Sequence, residues 1–270
     1  MTVSVIMAVF NAGNGDALKQ AVASIQRQTF SSWELIICDD GSTDKTWSHL
    51  QKLASDDTRI KLLRNEINRK AGFARNRCIE AAKGAYIAVM ASDDYAHPHR
   101  LQQQVDYLNT HTEFAFVGTK GIYFNGNDFL DLYWFCRFPQ KQDFLFTLPF
   151  VHASIMFRRC ALEQVEGYCE SKQVLRNEDY DLLMRMYAVG LQGANLSQAL
   201  YFIRKDDLLY RRRKYRYRFI ESYVKFKGFR CMGLMPAALP YVIKPLLVGL
   251  IPTKLLEAFK ARYYQKKQSK

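Results

Sequence analysis

Residues 85–101 read AYIAVMASDDYAHPHRL. The stretch opens as an unbroken apolar run to Ala91, of strand length. That is how a strand buried on both faces of a parallel sheet reads. The run stops on Ser92, Asp93 and Asp94, and Pro98 follows where it can open a helix in its first turn. Two carboxylates therefore sit at the C-terminal tip of a central strand, where open α/β sheets bind ligands. Adjacent carboxylates repel unless a cation or a sugar hydroxyl occupies the site. Mg²⁺ and Mn²⁺ suit such a place, taking one or two carboxylates plus substrate phosphates. The competing reading is a solvated turn in which Asp caps the next helix. This stretch alone leaves both open.

Upstream, the chain alternates. Val3–Phe10 (VSVIMAVF) is a buried strand closed by turn residues, and Asp16 can cap a helix with Leu18, Ala21, Val22 and Ile25 inward. Trp33–Cys38 is a second strand, ending in Asp39-Asp40-Gly41-Ser42-Thr43-Asp44, where Ser42 or Thr43 can cap a helix to about Ala54. Ile60–Leu63 is a third strand. Ala71–Lys83 is a helix with Gly84 at its C′ position. This β-α-β-α-β-α-β order predicts a parallel sheet with right-handed crossovers. The G-x-G-x-x-G and G-x-x-x-x-G-K-[ST] fingerprints are both absent, which disfavours a dinucleotide domain and a phosphate loop.

Downstream, the helix from Pro98 runs to about Thr110, and Phe114–Gly118 and Ile122–Phe124 read as strands. The aromatic stretch around Tyr133, Trp134, Phe135 and Phe138 is either core or an acceptor-facing wall, since aromatic faces pack on sugar rings. His152–Arg159 (HASIMFRR) reads as a strand. Asn177 is a natural N-cap for the helix from Tyr180 to Val189, stopped by Gly190. Glu178 and Asp179 fall in its first turn, where the dipole favours negative charge. That gives the pair a purely structural reason to exist beside any catalytic one. Leu200–Ile203 is one more strand.

Charge divides the chain. Residues 1–200 hold 21 Lys and Arg against 22 Asp and Glu; residues 201–270 hold 18 against 4. A neutral body with a basic tail needs an anionic partner for the tail. From Tyr210 the tail interleaves Tyr and Phe with Arg and Lys, which suits an anionic membrane interface or single-stranded nucleic acid. Leu234–Pro252 favours the membrane: it is apolar, yet too broken by proline to span a bilayer as one helix. The six cysteines form no C-x-x-C pair and read as buried free thiols in a reducing compartment, so zinc is disfavoured. No leader segment is expected, and the expected location is the inner face of the cytoplasmic membrane, as a peripheral protein.

Taken in order, SVIMAVFN, ELIICDDGSTDKT, AGFARN, AYIAVMASDD with PHRL, HASIMFRR, EGY, NEDYDLLMRM and LYFIRKDD resemble a family 2 glycosyltransferase over residues 3–205. The resemblance implies a GT-A fold, α/β with a mostly parallel central sheet. It implies residues 1–110 as the nucleotide-binding half and 111–205 as the acceptor-binding half, while the charge split sets 206–270 apart as a basic helical membrane-associating extension. It also implies inverting transfer from a nucleotide-diphosphate sugar, commonly UDP-linked, with Mn²⁺ or Mg²⁺. By that resemblance Ala8, Val9 and Phe10 line the nucleotide pocket and Asp39 accepts from uracil N3. Arg64 and Arg75 lie near base and phosphates. Asp93 is the main metal ligand, with Ser92 and Asp94 beside it. Asp179 is the general base with Glu178 next to it, and His152, Arg204 and Trp134 serve the acceptor or diphosphate.

One departure stands out. The family's usual Asp-x-Asp-Asp has Ala91 at its first position here, so metal binding would rest on Asp93 and Asp94. The Q-x-x-R-W motif of processive synthases is absent, which favours single-sugar addition to a lipid-linked or surface oligosaccharide. Two other functions remain open on sequence: a non-catalytic nucleotide-sugar-binding or scaffold protein, and a nucleic-acid binder resting only on residues 210–230. The expected partners are donor, acceptor and anionic membrane, without nucleic acid. The identity of the sugar depends on hydroxyl contacts that sequence does not place.

Overall fold

Strand tips rather than strand middles fix what this fold can do, and the first four strands bring theirs to one edge. The computed structural model describes residues 2–13, 16–125, 129–132, 135–205 and 215–250. β1 (Val3–Val9), β2 (Trp33–Asp39), β3 (Ile60–Arg64) and β4 (Tyr86–Val89) pair in parallel in the order β3-β2-β1-β4. The register sets Val9 beside Asp39 and Asp39 beside Arg64, so three strand ends lie side by side. The crossovers are α1 (Asp16–Gln26), α2 (Thr46–Ser55) and α3 (Ala71–Ala81). β1 and β2 alternate nothing polar outward because both their faces are covered. Val5 and Met7 face α1 and α4 (Arg100–Thr110), while Ile6 joins the core beneath α3 and α6 (Glu178–Ala188).

Beyond β4 the sheet becomes mixed. β5 (Tyr95–Ala96), β6 (Phe116–Phe124), β7 (Phe129–Leu132), β8 (Met156–Arg158) and β9 (Gly193–Arg204) complete nine strands among the described residues, in the order β3-β2-β1-β4-β8-β6-β9-β5, with β7 on β6. β8 runs antiparallel to β4 and β6, while β6 and β9 pair in parallel along most of their length. The short helix α5 (Arg159–Gln164) follows β8. α7 (Arg216–Cys231) and α8 (Leu239–Gly249) close the described chain. α7 lies on α6, where a Cβ on Gly228 would meet Met184 Sδ at 2.3 Å, and Val224 and Phe229 enter the same core.

Several expectations shift. The Ala71 helix ends at Ala81, not Lys83. Gly84 is needed instead for close approach, because a Cβ there would lie 2.6 Å from the Ser4 nitrogen of β1. Neither Ser42 nor Thr43 caps α2: Asp44 Oδ1 accepts from the Thr46 amide at 3.0 Å, and Ser42 instead accepts from the Asn11 amide at 2.9 Å. Pro98 lies outside α4, since β5 intervenes between the Asp pair and the helix. The two strands expected at Phe114–Gly118 and Ile122–Phe124 are one, Phe116–Phe124, with register shifts near Lys120. His152–Ser154 is a 3-10 turn, so the strand is confined to Met156–Arg158. β9 extends well upstream of Leu200. Cys38 and Cys78 are buried, Cys136 and Cys169 half-buried, and Cys160 and Cys231 exposed, against the expectation that all six are buried.

Candidate active site

A cleft of about 520 Å³ opens over the aligned strand ends. Ala8, Val9, Phe10 and Asn11 enter it from the end of β1, Asp40 from β2, and Asn68, Lys70 and Ala71 from the loop before α3. Arg176 reaches it from the turn before α6. The expected nucleotide-lining residues Ala8, Val9 and Phe10 are thus brought together here. Phe10 is 47% exposed at the rim, because the strand ends at Val9.

Asp39 ends β2 fully buried. Its Oδ1 accepts the Ser42 amide at 3.1 Å. Its Oδ2 has no hydrogen-bond donor; Arg64 Nε stands 3.3 Å away as an ion pair, with its guanidinium over the Trp47 ring. A buried carboxylate oxygen in this state is a ready acceptor for a ligand N–H. Asp40, beside it, is spent on structure. Its Oδ1 accepts from Asn65 Nδ2 (2.7 Å) and the Arg69 amide (2.9 Å), and its Oδ2 from the Lys70 amide (2.8 Å). Asp40 therefore shapes the 68–71 side of the cleft, a role the motif spelling did not reveal.

The Ser92-Asp93-Asp94 turn follows β4 as expected. Asp94 is buried, and its Oδ1 accepts the Arg204 amide at 2.9 Å. Burial and the charge of Asp93 push its carboxyl up to about 7, while the bonds from Arg204 and Tyr201 pull the other way. Below it lies Arg100 of the PHRL segment, fully buried, donating to the Val89 carbonyl (2.8 Å) and to Gln104 (3.0 Å). Burial lowers that guanidinium to about 10. Arg204 itself is a strap: its Nε donates to the Asp93 carbonyl (2.9 Å) and its Nη2 to Gln20 (2.6 Å). That engagement is local, and places its guanidinium on the aspartate turn.

A third group gathers at the start of α6. Asp179 Oδ1 accepts the Tyr180 amide at 2.8 Å. Burial raises its carboxyl above the ordinary range, and the Arg75 charge opposes that rise. Arg75 lies over the Tyr168 ring (5.4 Å), and the Tyr168 hydroxyl is 2.8 Å from His152 Nε2. Burial and Arg75 hold His152 well below its usual range, so it is neutral near pH 7. Glu178 packs toward Gly72, where an added Cβ would stand 3.4 Å from its Cγ. Asn177 occupies the N-cap position without a capping side-chain bond, because its Nδ2 turns to the Leu175 carbonyl. Trp134 and Tyr133 lie outside the described residues. Phe138 is partly exposed and stacks on Phe114.

The donor set can be tested against a divalent cation. Among the described residues no group of three or more His, Cys, Asp or Glu side chains is placed to hold a metal alone. Mg²⁺ and Mn²⁺ commonly use one or two carboxylates and complete their shell with phosphates and water. The Asp93-Asp94 pair fits that smaller role: burial first and then the charge of Asp93 raise the Asp94 carboxyl, and a cation would relieve the second of these.

The model of "Glycosyl transferase family 2" matches residues 4–165. EpsE of Bacillus subtilis (strain 168), a glycosyltransferase by its name, is 32% identical over 266 residues, covering 98% of this chain and 94% of its own. WfaP of Escherichia coli, named a UDP-Glc:alpha-D-GlcNAc-diphosphoundecaprenol beta-1,3-glucosyltransferase, is 30% identical over 72% of this chain and 73% of its own. Among solved structures, S. aureus TarS 1-349 in complex with UDP-GlcNAc superposes with a TM-score of 0.70 at 19% identity, covering 90% of this chain and 73% of that one. The mannosyltransferase PcManGT from Pyrobaculum calidifontis, in complex with GDP-Man and Mn²⁺, superposes at 0.64 with 16% identity, covering 97% and 79%. At these identities the two structures establish the shared fold.

Proposed function

This chain belongs to glycosyl transferase family 2 and is a glycosyltransferase, and from that premise we propose that it transfers one sugar, with inversion, from a UDP-sugar to a hydroxyl of a lipid-linked oligosaccharide. The observation that carries the reading is Asp179, a half-buried carboxylate with raised proton affinity, opening a helix beside Arg75 in the same molecule whose strand ends form the cleft. The donor chemistry named for WfaP and bound in TarS, and the diphosphoundecaprenol acceptor named for WfaP, support the choice of donor and acceptor.

In this mechanism Asp39 Oδ2 accepts the N–H of the base. Asp179 takes the acceptor hydroxyl's proton as that oxygen bonds to the sugar's anomeric carbon. The carbon–oxygen bond to the diphosphate breaks on the opposite face, and the electron pair leaves with the diphosphate. A base with a raised proton affinity does this best when its range approaches the working pH. Mn²⁺ or Mg²⁺ held at Asp93, with Asp94 beside it, would neutralise charge on the diphosphate. Arg75 opposes the rise in Asp179's proton affinity, and the bond between His152 and the Tyr168 hydroxyl holds Arg75's ring partner in place. Asp94, Arg100 and Arg204 fix the turn that presents Asp93.

Membrane association belongs to the same reading. Tyr215, Phe219, Tyr223 and Phe226 recur at three- and four-residue spacing in and just before α7, and Leu239, Ile243, Leu247 and Leu250 in and just after α8, all exposed. Tyr215 meets Leu246 and Gly249 while Ser222 donates to the Val242 carbonyl, so the two helices run antiparallel. Exposed apolar stripes among Arg218, Lys227, Arg230 and Lys244 suit an anionic interface. Among the described residues no helix is long and apolar enough to cross a membrane.

The test is a screen of nucleotide sugars for thermal stabilisation and turnover, with and without Mn²⁺, on wild type and Asp179→Asn. The expected result is stabilisation by a UDP-sugar in both and turnover in wild type alone. Nucleotide-sugar binding with no turnover in wild type, given a diphosphopolyprenol-linked acceptor, would favour a non-catalytic binding protein instead.

A further inference from the structure

Four non-glycine residues among those described have positive φ, and three of them line the same cleft: Asn11 (50°), Lys70 (79°) and Arg176 (66°). Asn11 has a local reason. Asparagine tolerates the left-handed region, and this one accepts the Thr43 amide at 3.0 Å and donates its own amide to Ser42 at 2.9 Å. Lysine and arginine, at positions 70 and 176, lack that tolerance. Lys70 combines φ 79° with ψ 164°, a region that is essentially glycine's. Asp40 holds it there through the 2.8 Å bond to its amide, and Lys70 Nζ donates to Asn68 Oδ1 at 2.7 Å. Arg176 projects from the turn before α6, with its guanidinium over the Tyr217 ring at 4.4 Å.

Glycine would satisfy both backbones without strain, yet both positions carry cations, and both reach one cleft from opposite elements. Strained residues persist where the surrounding structure over-determines them, and they cluster at functional sites. Asp40, which also lines this cleft, accepts hydrogen bonds on both oxygens from backbone and Asn65 donors.

We propose that Lys70 and Arg176 form a clamp for the donor's diphosphate that acts without a divalent cation. The inference rests on the UDP-sugar reading above and deepens it: the leaving group is held by two cations that line the cleft. In a chain whose first motif position is Ala91, part of the charge stabilisation then comes from the protein itself.

The experiment measures UDP, UMP and inorganic pyrophosphate binding in EDTA by calorimetry, together with Tm, for wild type, Lys70→Met, Arg176→Met, Lys70→Gly and Arg176→Gly. Methionine keeps the strain and removes the charge; glycine removes both. The expected result is a loss of about tenfold to a hundredfold in UDP affinity for all four, as for lost charge-assisted bonds, with a smaller loss for UMP. Tm stays near wild type in the methionine variants and rises by a few degrees in the glycine variants. Wild-type UDP affinity in the methionine variants overturns the clamp, and so do equal losses for UDP and UMP, which mark mere loop shaping. Pyrophosphate separates the two readings. If wild type binds it and the methionine variants do not, the clamp stands even where no UDP-sugar is bound. If wild type binds neither pyrophosphate nor UDP in EDTA, the clamp fails whatever the donor.

Discussion

The Tyr168 hydroxyl lies 2.8 Å from His152 Nε2, and both groups are sealed from water near the turn that carries Asp179. Arg75 sits over the same Tyr168 ring. The neutral histidine is therefore a positioning residue: it fixes the tyrosine, and the tyrosine supports the guanidinium that tunes Asp179. Tyr168→Phe leaves a buried imidazole nitrogen without its partner. The expected cost is about 1–3 kcal/mol of stability by denaturant unfolding. His152→Phe with Tyr168→Phe removes both polar partners and should recover part of that loss.

Asp179 gives the pH dependence a sign. As the proposed general base it would work ionised, and burial raises its proton affinity. The acid limb of kcat/KM should therefore lie above the ordinary aspartate range. Arg75→Met removes the charge that opposes the rise, so the limb should move to still higher pH. Stability runs the other way. A carboxyl whose folded proton affinity is raised binds more protons in the native state, so its contribution falls as pH climbs out of the unfolded aspartate range. Asp179→Asn escapes that loss, and its Tm advantage over wild type should widen from pH 4 upward. Its turnover should drop by about a hundredfold to ten-thousandfold.

Asp39 Oδ2 is a buried acceptor without a hydrogen-bond donor. Asp39→Asn can present an NH₂ group where the ligand N–H should approach. Uridine nucleotide affinity should fall by about tenfold or more, read by calorimetry, with little change in Tm. Equal affinity in the two proteins would remove the proposed base contact.

Asp40→Ala strips acceptors from the Arg69 and Lys70 amides and from Asn65 Nδ2 at once. The expected loss is about 2–4 kcal/mol of unfolding free energy, together with weaker UDP binding, since the strained Lys70 backbone loses what holds it.

The exposed stripes on α7 and α8 predict membrane behaviour. Phe219→Ser and Leu247→Ser should each weaken binding to anionic vesicles by about tenfold, the scale of one large apolar side chain. Added salt should weaken wild-type binding, and neutral vesicles should bind less than anionic ones. Sedimentation with vesicles of defined phosphatidylglycerol content reads all three.

The sequence by itself determined the first four strands and their three crossovers, because unbroken apolar runs and helical spacing are local signals. It also placed Asp39, Asp93 and Asp179 at element ends, where a turn must follow and a carboxylate can face outward. It did not reveal β5, the single bulged β6 or the length of β9, whose pairing partners lie far away in the chain. Nor did it distinguish Asp39, with an open oxygen, from adjacent Asp40, with none: both are spelled alike, and the difference is which amides arrive from residues 65–70. Arg100 drew no role from the sequence and Arg204 drew one toward acceptor or diphosphate only by resemblance; the fold buried the first beneath the aspartate turn and engaged the second across it. Lys70 and Arg176 carry no spelling that announces a positive φ; only the loops that the sheet edge brings together impose it. Local patterning specified where the chain stops and turns. Charge, strain and hydrogen bonding at those turns depend on contacts between segments 16 to 110 residues apart, and only the tertiary structure decided them.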